Sequence, residues 1–405
     1  MEVRIFSSSI IHLVESNLFK RLTDLDGALI QYEQNLDIPT FHLEYPSFLV
    51  TAVAECRKVG HCLSSTELGW GETPSNDIIQ ACRDIRTQAQ KEIRKLIDHK
   101  RDVAQGTTLQ EVNYWSVLCS SLKNAYREIK SFEIQLPLSI LKSLGSVQFS
   151  QLDNLSYLEE RLHNSEDIHG VLSAIPFNAL FSCTELSKLN SEVMDVFKHL
   201  QSIISIKSYP LGRVLSLINC LNQDIVHHCR GILNKTQLMT DPYPVFHRKI
   251  SDCLAIFQTM YSEQTTLWNL LHEEKRKRNV QEPLVFQESF QPLKARLEKI
   301  NAVRSEHEQY LALIKAISNN SQLQLELVEK AYLILQKTVV TDTSKEASND
   351  WLEAVKEYNL EISHVDEQQA STIKELFEEA KSKDQMIPLY ERFVCFRFRP
   401  IIRGM

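Results

Sequence analysis

The sequence predicts an all-α protein, an elongated rod of consecutive antiparallel helical bundles with minimal β structure. Three observations carry that expectation. Only 10 of the 405 residues are glycine, against an average usage of roughly 7%. Glycine supplies the positive-φ geometry of tight turns, hairpins and phosphate-cradling loops, so a chain this poor in it has few of them. Over long stretches the apolar residues recur at alternating spacings of four and three, the signature of one helical face. The prolines and the few glycines fall mostly between those stretches. A chain of 405 residues also exceeds the roughly 250–300 at which a single hydrophobic core stops growing, so several packed units are expected.

The elements follow in order. Phe6, Ile10, Leu13 and Leu18 mark an amphipathic first helix, and Glu15 and Lys20 follow without a small-residue cleavage site, against a signal peptide. A short helix is expected after Thr23-Asp24. Residues 36–46, with Pro39 and Pro46, read as extended, and a helix over 47–59 precedes a loop holding Gly60, Gly69, Gly71 and Pro74. Ser75 can cap a helix to about His99. Thr108 with Glu111 three residues on reads as a capping box opening a helix to about Ile129. Further helices are expected over 137–144, 151–162, 178–206 and from Pro210 to near Gly231.

The longest segments carry the strongest periodicity. Ile250, Leu254, Phe257, Tyr261, Gln264, Trp268 and Leu271 form one seam. Leu293, Leu297, Ile300, Val303, His307, Leu311 and Ile314 form a second. Trp351, Val355, Tyr358, Ile362 and Val365 form a third, interrupted at Gln369 and resuming at Ile373 and Leu376. Neighbours such as Ile256, Met260, Leu267 and Leu270 widen the first face beyond a two-stranded coiled-coil seam, which favours bundles. Strand signals are confined to 36–43 and 146–149.

Composition excludes several function classes. The formal net charge is −7, from 45 basic and 52 acidic residues, which argues against nucleic acid as the main partner. No run approaches the roughly 18 apolar residues of a membrane span. Nine scattered cysteines without a CxxC pair suit reduced thiols of the cytosol, and the N-x-S/T matches at Asn154, Asn234 and Asn319 are then incidental. There is no GxxxxGK[ST] and no GxGxxG, so no phosphate loop. Cys220, His227, His228 and Cys229 are the one Cys/His cluster, but on a helix His227 and His228 point about 100° apart, which argues against zinc. His307-Glu308 lacks the second histidine of HExxH. Glu159-Glu160 and Glu378-Glu379 read as solvated pairs. Lys275-Arg276-Lys277-Arg278 reads as a basic helix end complementing the dipole. Arg392, Arg397, Arg399 and Arg403 alternate with Phe393, Phe396 and Phe398, a pattern that suits an amphipathic element and a nucleic-acid surface equally. No catalytic residue, cofactor site or metal site is expected.

Four stretches, in this order, resemble the N-terminal region of dynein heavy chains, nearest the cytoplasmic class. They are Gly106-Thr107-Thr108-Leu109-Gln110-Glu111-Val112-Asn113-Tyr114-Trp115, then Pro137-Leu138-Ser139-Ile140-Leu141-Lys142, then Ile175-Pro176-Phe177-Asn178-Ala179-Leu180-Phe181-Ser182-Cys183-Thr184-Glu185-Leu186. The last runs from His364-Val365-Asp366-Glu367 through Tyr390-Glu391-Arg392-Phe393 to Arg399-Pro400-Ile401-Ile402-Arg403-Gly404. The resemblance implies a non-catalytic tail segment, cytoplasmic and microtubule-associated, that scaffolds motor-complex assembly and the attachment of dynactin and cargo adaptors. It implies 1–45 as the end of a dimerisation-type segment, 46–235 as a first helical bundle region and 236–405 as a second with long helices. In the family the extreme N-terminus pairs two heavy chains, and a long stretch precedes the point where residues 3–22 align. The intermediate-chain sites lie mostly beyond the present C-terminus, and light intermediate chains are further partners. The expectation is therefore a piece of a longer chain or a short paralogue that lacks part of the dimer contact. A helical-rod vesicle-tethering subunit would share the architecture but not these stretches. An all-helical enzyme with a metal at Cys220 and His227 is the reading from a different class.

Overall fold

A computed structural model describes residues 38–43, 76–99, 106–143, 152–235, 238–280, 285, 287, 289–317 and 322–393. The helices expected over 3–22, 24–35 and 47–59, the loop over 60–74, the strand signal at 146–149 and the stretch 394–405 lie outside these residues. The described residues are helical with irregular connections and hold no strand; 38–43 is irregular. They divide into two compact units, one drawing on the chain to Ala174 and on Ile206–Arg213, the other on Ile175–Ser205 and on the chain from Val214.

In the first unit, α1 (Asn76–Asp98) packs against α3 (Phe132–Ser143) and α4 (Leu155–Ala174), and α2 (Thr108–Ile129) packs along α4. Every helix turns a stripe inward. Ile85, Ala89, Ile93 and Leu96 of α1, Leu118, Leu122 and Ile129 of α2, Leu141 of α3 and Leu158 and Ile168 of α4 are all buried. Each aliphatic side chain of this kind contributes about 1.5–3 kcal/mol on burial.

Polar contacts fix the connections. The Gln90 amide donates to the Asp153 carbonyl at 3.1 Å and accepts from the Asp153 N–H at 2.7 Å. Asn154, at φ 64°, then turns the chain into α4. Arg161 closes the C-terminal end of α1 by donating to the carbonyls of Ile97, at 2.6 Å, and His99. Ser121 holds the 38–43 segment by donating to the Pro39 carbonyl at 2.7 Å.

Local chemistry displaces three boundaries from their expected places. The capping box at α2 sits one residue earlier than the sequence pattern suggested. Thr107 is the cap, its hydroxyl accepting from the Gln110 N–H while the Gln110 side chain accepts from the Thr107 N–H at 2.7 Å. Gly106, at φ +85°, delivers the chain into that cap, a conformation side chains oppose. Glu111 is thereby released to point inward. Helix α3 begins at Phe132, ahead of the expected Pro137, because a proline in the second turn forfeits a single backbone bond. Helix α4 runs on to Ala174 because Ser165, Ile168 and Leu172 continue its buried face beyond Leu162.

In the second unit, α5 (Phe177–Ser182) and α8 (Tyr243–Arg278) pack against α6 (Leu186–Ile204). Helix α7 (Leu211–Lys235) belongs to this unit from Val214 onward. A 3-10 turn at Leu238–Thr240 leads into α8, which contacts α9 (Gln291–Ile317). Helix α10 (Gln322–Gln336), which the sequence pattern left unmarked, lies between α9 and α11 (Lys345–Glu379), and α12 (Lys383–Phe393) follows.

A single helix over 178–206 was expected, but the chain breaks at 183–185. Leu180 and Leu186, six residues apart, would sit about 240° apart on one continuous helix. The break rephases them, so that both are buried. The buried face of α8 runs Ile250, Cys253, Phe257, Met260, Gln264, Leu267 and Leu271. Ile250, Phe257, Gln264 and Leu271 of the expected seam hold, while Tyr261 is 51% exposed and Leu254 and Trp268 are half-buried, their places on the buried face taken by Met260, Cys253 and Leu267. The seam of α9 holds, except that Tyr310 is buried where Leu311 is not; that of α11 holds from Trp351 to Val365, after which Gln369 is buried and Ile373 and Leu376 are half-buried.

Thr107→Ala removes the cap hydroxyl and is expected to lower stability by about 1 kcal/mol in urea unfolding, the usual cost of losing an N-cap. An unchanged midpoint would show that the box does not hold the start of α2.

Candidate functional site

Each unit carries a buried polar cluster centred on a titratable side chain. In the first unit it is built on the inward face of α2. Glu111, 2% exposed, lies one helical turn before Trp115 in an otherwise apolar stripe. Its carboxylate accepts from Trp115 Nε1 at 2.7 Å, from the Tyr209 hydroxyl at 2.8 Å, and from Arg213 Nε at 2.6 Å and Nη2 at 3.0 Å. Arg213, 1% exposed, stacks its guanidinium 4.1 Å from the Tyr114 ring centre and 4.8 Å from that of Trp115. Trp115 meets Tyr209 edge-on at 5.4 Å.

Burial alone would lower the Arg213 pKa, but the Glu111 hydrogen bonds and charge outweigh it and hold the guanidinium above its ordinary value. Burial, reinforced by the Glu111 charge, pushes the Tyr209 phenol well up. The cluster is therefore a fixed ion pair with neutral aromatic walls. A cavity of about 250 Å³ adjoins it, lined by Tyr114, Trp115, Tyr157, Arg161, Ser208 and Arg213 among others.

In the second unit His307 is the centre. Its Nδ1 lies 2.8 Å from the Tyr358 hydroxyl, and its ring stacks on Tyr332 at 4.4 Å. Arg304 lies over the Tyr332 ring, 4.1 Å from its centre, and pairs with Glu308 at 2.8 Å. Tyr332 donates to the Met239 carbonyl and Tyr310 to Asp366, both at 2.8 Å. Burial, with the Arg304 charge beside it, pulls the His307 pKa from 6.5 down to about 3, so the imidazole is neutral at physiological pH. His307-Glu308 is thus a packing device, with the carboxylate spent on Arg304.

The other sequence candidates do not converge. On α7, Cys220 is half-buried and His227 exposed. His228 hydrogen-bonds the Cys183 carbonyl at 2.8 Å, and Cys229 faces Cys253 of α8. Hydrogen bonding to Cys229 and burial push the Cys253 thiol well up, which keeps it from acting as a thiolate ligand or nucleophile. No group of three His, Cys, Asp or Glu side chains among the described residues is placed to hold a metal. Glu159 accepts from Tyr126 at 2.6 Å, and Glu378 pairs with Lys374 at 3.8 Å. Two cations of the basic end of α8 are paired: Lys277 meets Glu273 and Glu274 at 3.0 Å, and Arg278 meets Glu274 and donates to the Ile204 carbonyl at 2.6 Å. Arg397, Arg399 and Arg403 lie outside the described residues.

Arg213 and Tyr209 were not singled out from the sequence. The available signal was a carboxylate in an apolar stripe: Glu111 aligned with Trp115, Leu118 and Leu122 requires a buried cation, and Arg213 beside Val214 and Leu217 was the matching anomaly.

The described residues form an all-helical fold in which Glu111, Arg213, His307 and Tyr358 are engaged in contacts between helices. A family model described as dynein heavy chain, N-terminal region 1, matches residues 86–405. The chain belongs to that family. It is 26% identical over 415 residues to a cytoplasmic dynein heavy chain of Drosophila melanogaster and 27% identical over 410 residues to one of Caenorhabditis elegans. Each alignment covers 95% of this chain and 9% of the relative. A cytoplasmic dynein heavy chain of Dictyostelium discoideum is 23% identical over 416 residues, again 95% of this chain and 9% of the relative. The chain thus spans about a tenth of the length of the relatives it matches. No helix among the described residues is long and apolar enough to cross a membrane.

The depressed pKa of His307 makes stability pH-dependent. Between pH 6.5 and about 3 the unfolded chain binds a proton at this residue that the folded chain does not. The His307 contribution is therefore intact above pH 6.5 and is lost as pH falls, by up to about 1.4 kcal/mol per pH unit. Urea unfolding at a series of pH values should show a shallower acid loss for His307→Leu than for the parent chain; parallel curves would contradict a buried neutral imidazole.

Proposed function

We propose that this chain is a non-catalytic stem segment of a cytoplasmic-type dynein heavy chain, which scaffolds motor-complex assembly and carries attachment of dynactin and cargo adaptors for microtubule-based transport. The supporting observation is the match to the heavy-chain N-terminal region across residues 86–405, in relatives whose names place them in the cytoplasmic class. The buried clusters fit that role. Glu111, Arg213, His307 and Tyr358 are consumed in helix-to-helix contacts, which stiffens bundles and leaves their outer faces for partners. The partners of this reading are a second heavy chain, intermediate chains, light intermediate chains, dynactin and cargo adaptors.

Reconstitution tests it. The purified chain is mixed in turn with recombinant intermediate chain, light intermediate chain and dynactin, and followed by analytical ultracentrifugation with an ATPase assay alongside. Co-sedimentation with at least one of them and no ATP turnover are expected. Separate sedimentation from all three, or ATP hydrolysis by the chain, would overturn the reading.

A further inference from the structure

Several exposed lysines of the molecule are paired within their own helix. Lys188 pairs with Glu185, Lys198 with Asp195, Lys277 with Glu273 and Glu274, and Lys374 with Glu378, all at the three- or four-residue spacing that brings helical side chains together. On α1 the same spacing sets like charges side by side: Arg83 with Arg86, and Lys91 with both Arg94 and Lys95. Such pairs repel and weaken a helix.

Among the described residues two of these cations make an ion pair. Lys95 meets Glu92 at 2.6 Å, and Arg86 lies 3.9 Å from the well-exposed Asp153. Among the described residues the exposed side chains of Arg83, Lys91 and Arg94 carry no ion pair. The helix dipole accounts for cations in the last turn alone, where Lys95 stands. It gives no reason for Arg83 or Lys91. The opposite face of α1 is apolar and buried through Cys82, Ile85, Ala89, Ile93 and Leu96, so the register of the basic stripe is fixed. A groove of about 540 Å³ runs along it, lined by Arg86, Lys91, Arg94, Lys95, Asp98 and Asp153 among others.

We propose that the outward face of α1, through Arg83, Arg86, Lys91 and Arg94, is a docking surface for an acidic segment of a partner protein. The inference rests on the geometry of α1 and not on the tail reading. The stripe from Arg83 to Arg94 is about 16 Å long, the length of some three helical turns of a partner. Charge complementarity names the occupant: a run of Glu and Asp cancels the repulsion that α1 retains by itself, and gives fast, salt-sensitive association. A membrane surface fits less well, because none of the exposed large apolar side chains of the described residues lies on α1 and interfacial helices bury such residues. Single-stranded nucleic acid fits less well too, because α1 carries no aromatic residue on which a base can stack, and the chain as a whole bears a net charge of −7.

Fluorescence anisotropy of the full chain with a labelled peptide of Glu and Asp interspersed with Ala tests the proposal. Saturable binding that is lost with added salt is expected. The pair Arg83→Glu and Arg94→Glu should weaken it by at least about tenfold, while Lys188→Glu with Lys198→Glu should leave it unchanged. Lys91→Gln with Arg94→Gln provides a second readout, since relieving repulsion should raise the unfolding midpoint while binding falls. Absence of peptide binding, equal loss in the Lys188/Lys198 control, or unchanged binding by the α1 variants would overturn the proposal. So would tighter binding of phosphatidylserine vesicles or a single-stranded oligonucleotide than of the peptide.

Discussion

The ion pair between Glu111 and Arg213 is the constraint on which the first unit depends. Both charges are withdrawn from water, and an isolated buried charge costs several kcal/mol. Both oxygens of the Glu111 carboxylate are accordingly engaged, by Trp115, Tyr209 and the Nε and Nη2 of Arg213. The pair joins residues 102 positions apart in sequence. It holds the Ile206–Arg213 segment against α2 in a way that apolar packing, which tolerates sliding, would not specify by itself. The α2 cap shares in this arrangement. Because Gln110 closes the box with Thr107, Glu111 is free to face the core.

The second unit solves the same problem with a neutral group. His307 occupies a seam position on α9, and an apolar residue would fill the volume. The imidazole adds directed contacts to Tyr358 and, by stacking, to Tyr332, which bind α9, α10 and α11 in one register. Buried Gln264 and Gln369 also stand at seam positions of α8 and α11.

Much of this fold was legible in the sequence because helices write their buried faces at regular spacing. Trp351, Val355, Tyr358, Ile362 and Val365 were read as one face of α11 and all are buried. Legibility failed where polarity or phase interrupts the stripe. Ser165 hid the second half of α4. The rephasing between Leu180 and Leu186 hid the break after α5. Two adjacent threonines left the α2 cap ambiguous by one residue, and with it the role of Glu111. The clusters themselves were the least legible part. Long-range pairing between Glu111 and Arg213 depends on where the chain returns, which local spacing does not encode. The dynein heavy-chain resemblance, by contrast, rested on ordered stretches spread over the chain, and the family match across residues 86–405 agrees with it.

Glu111 and Arg213 are interdependent, and a double-mutant cycle measures that most directly. Urea unfolding of Glu111→Leu, Arg213→Met and the double variant should show each single change costing about 3–5 kcal/mol, because each strands a buried charge. The double variant should cost far less than their sum. Two small single effects that simply add would contradict the claim that this ion pair holds the first unit together.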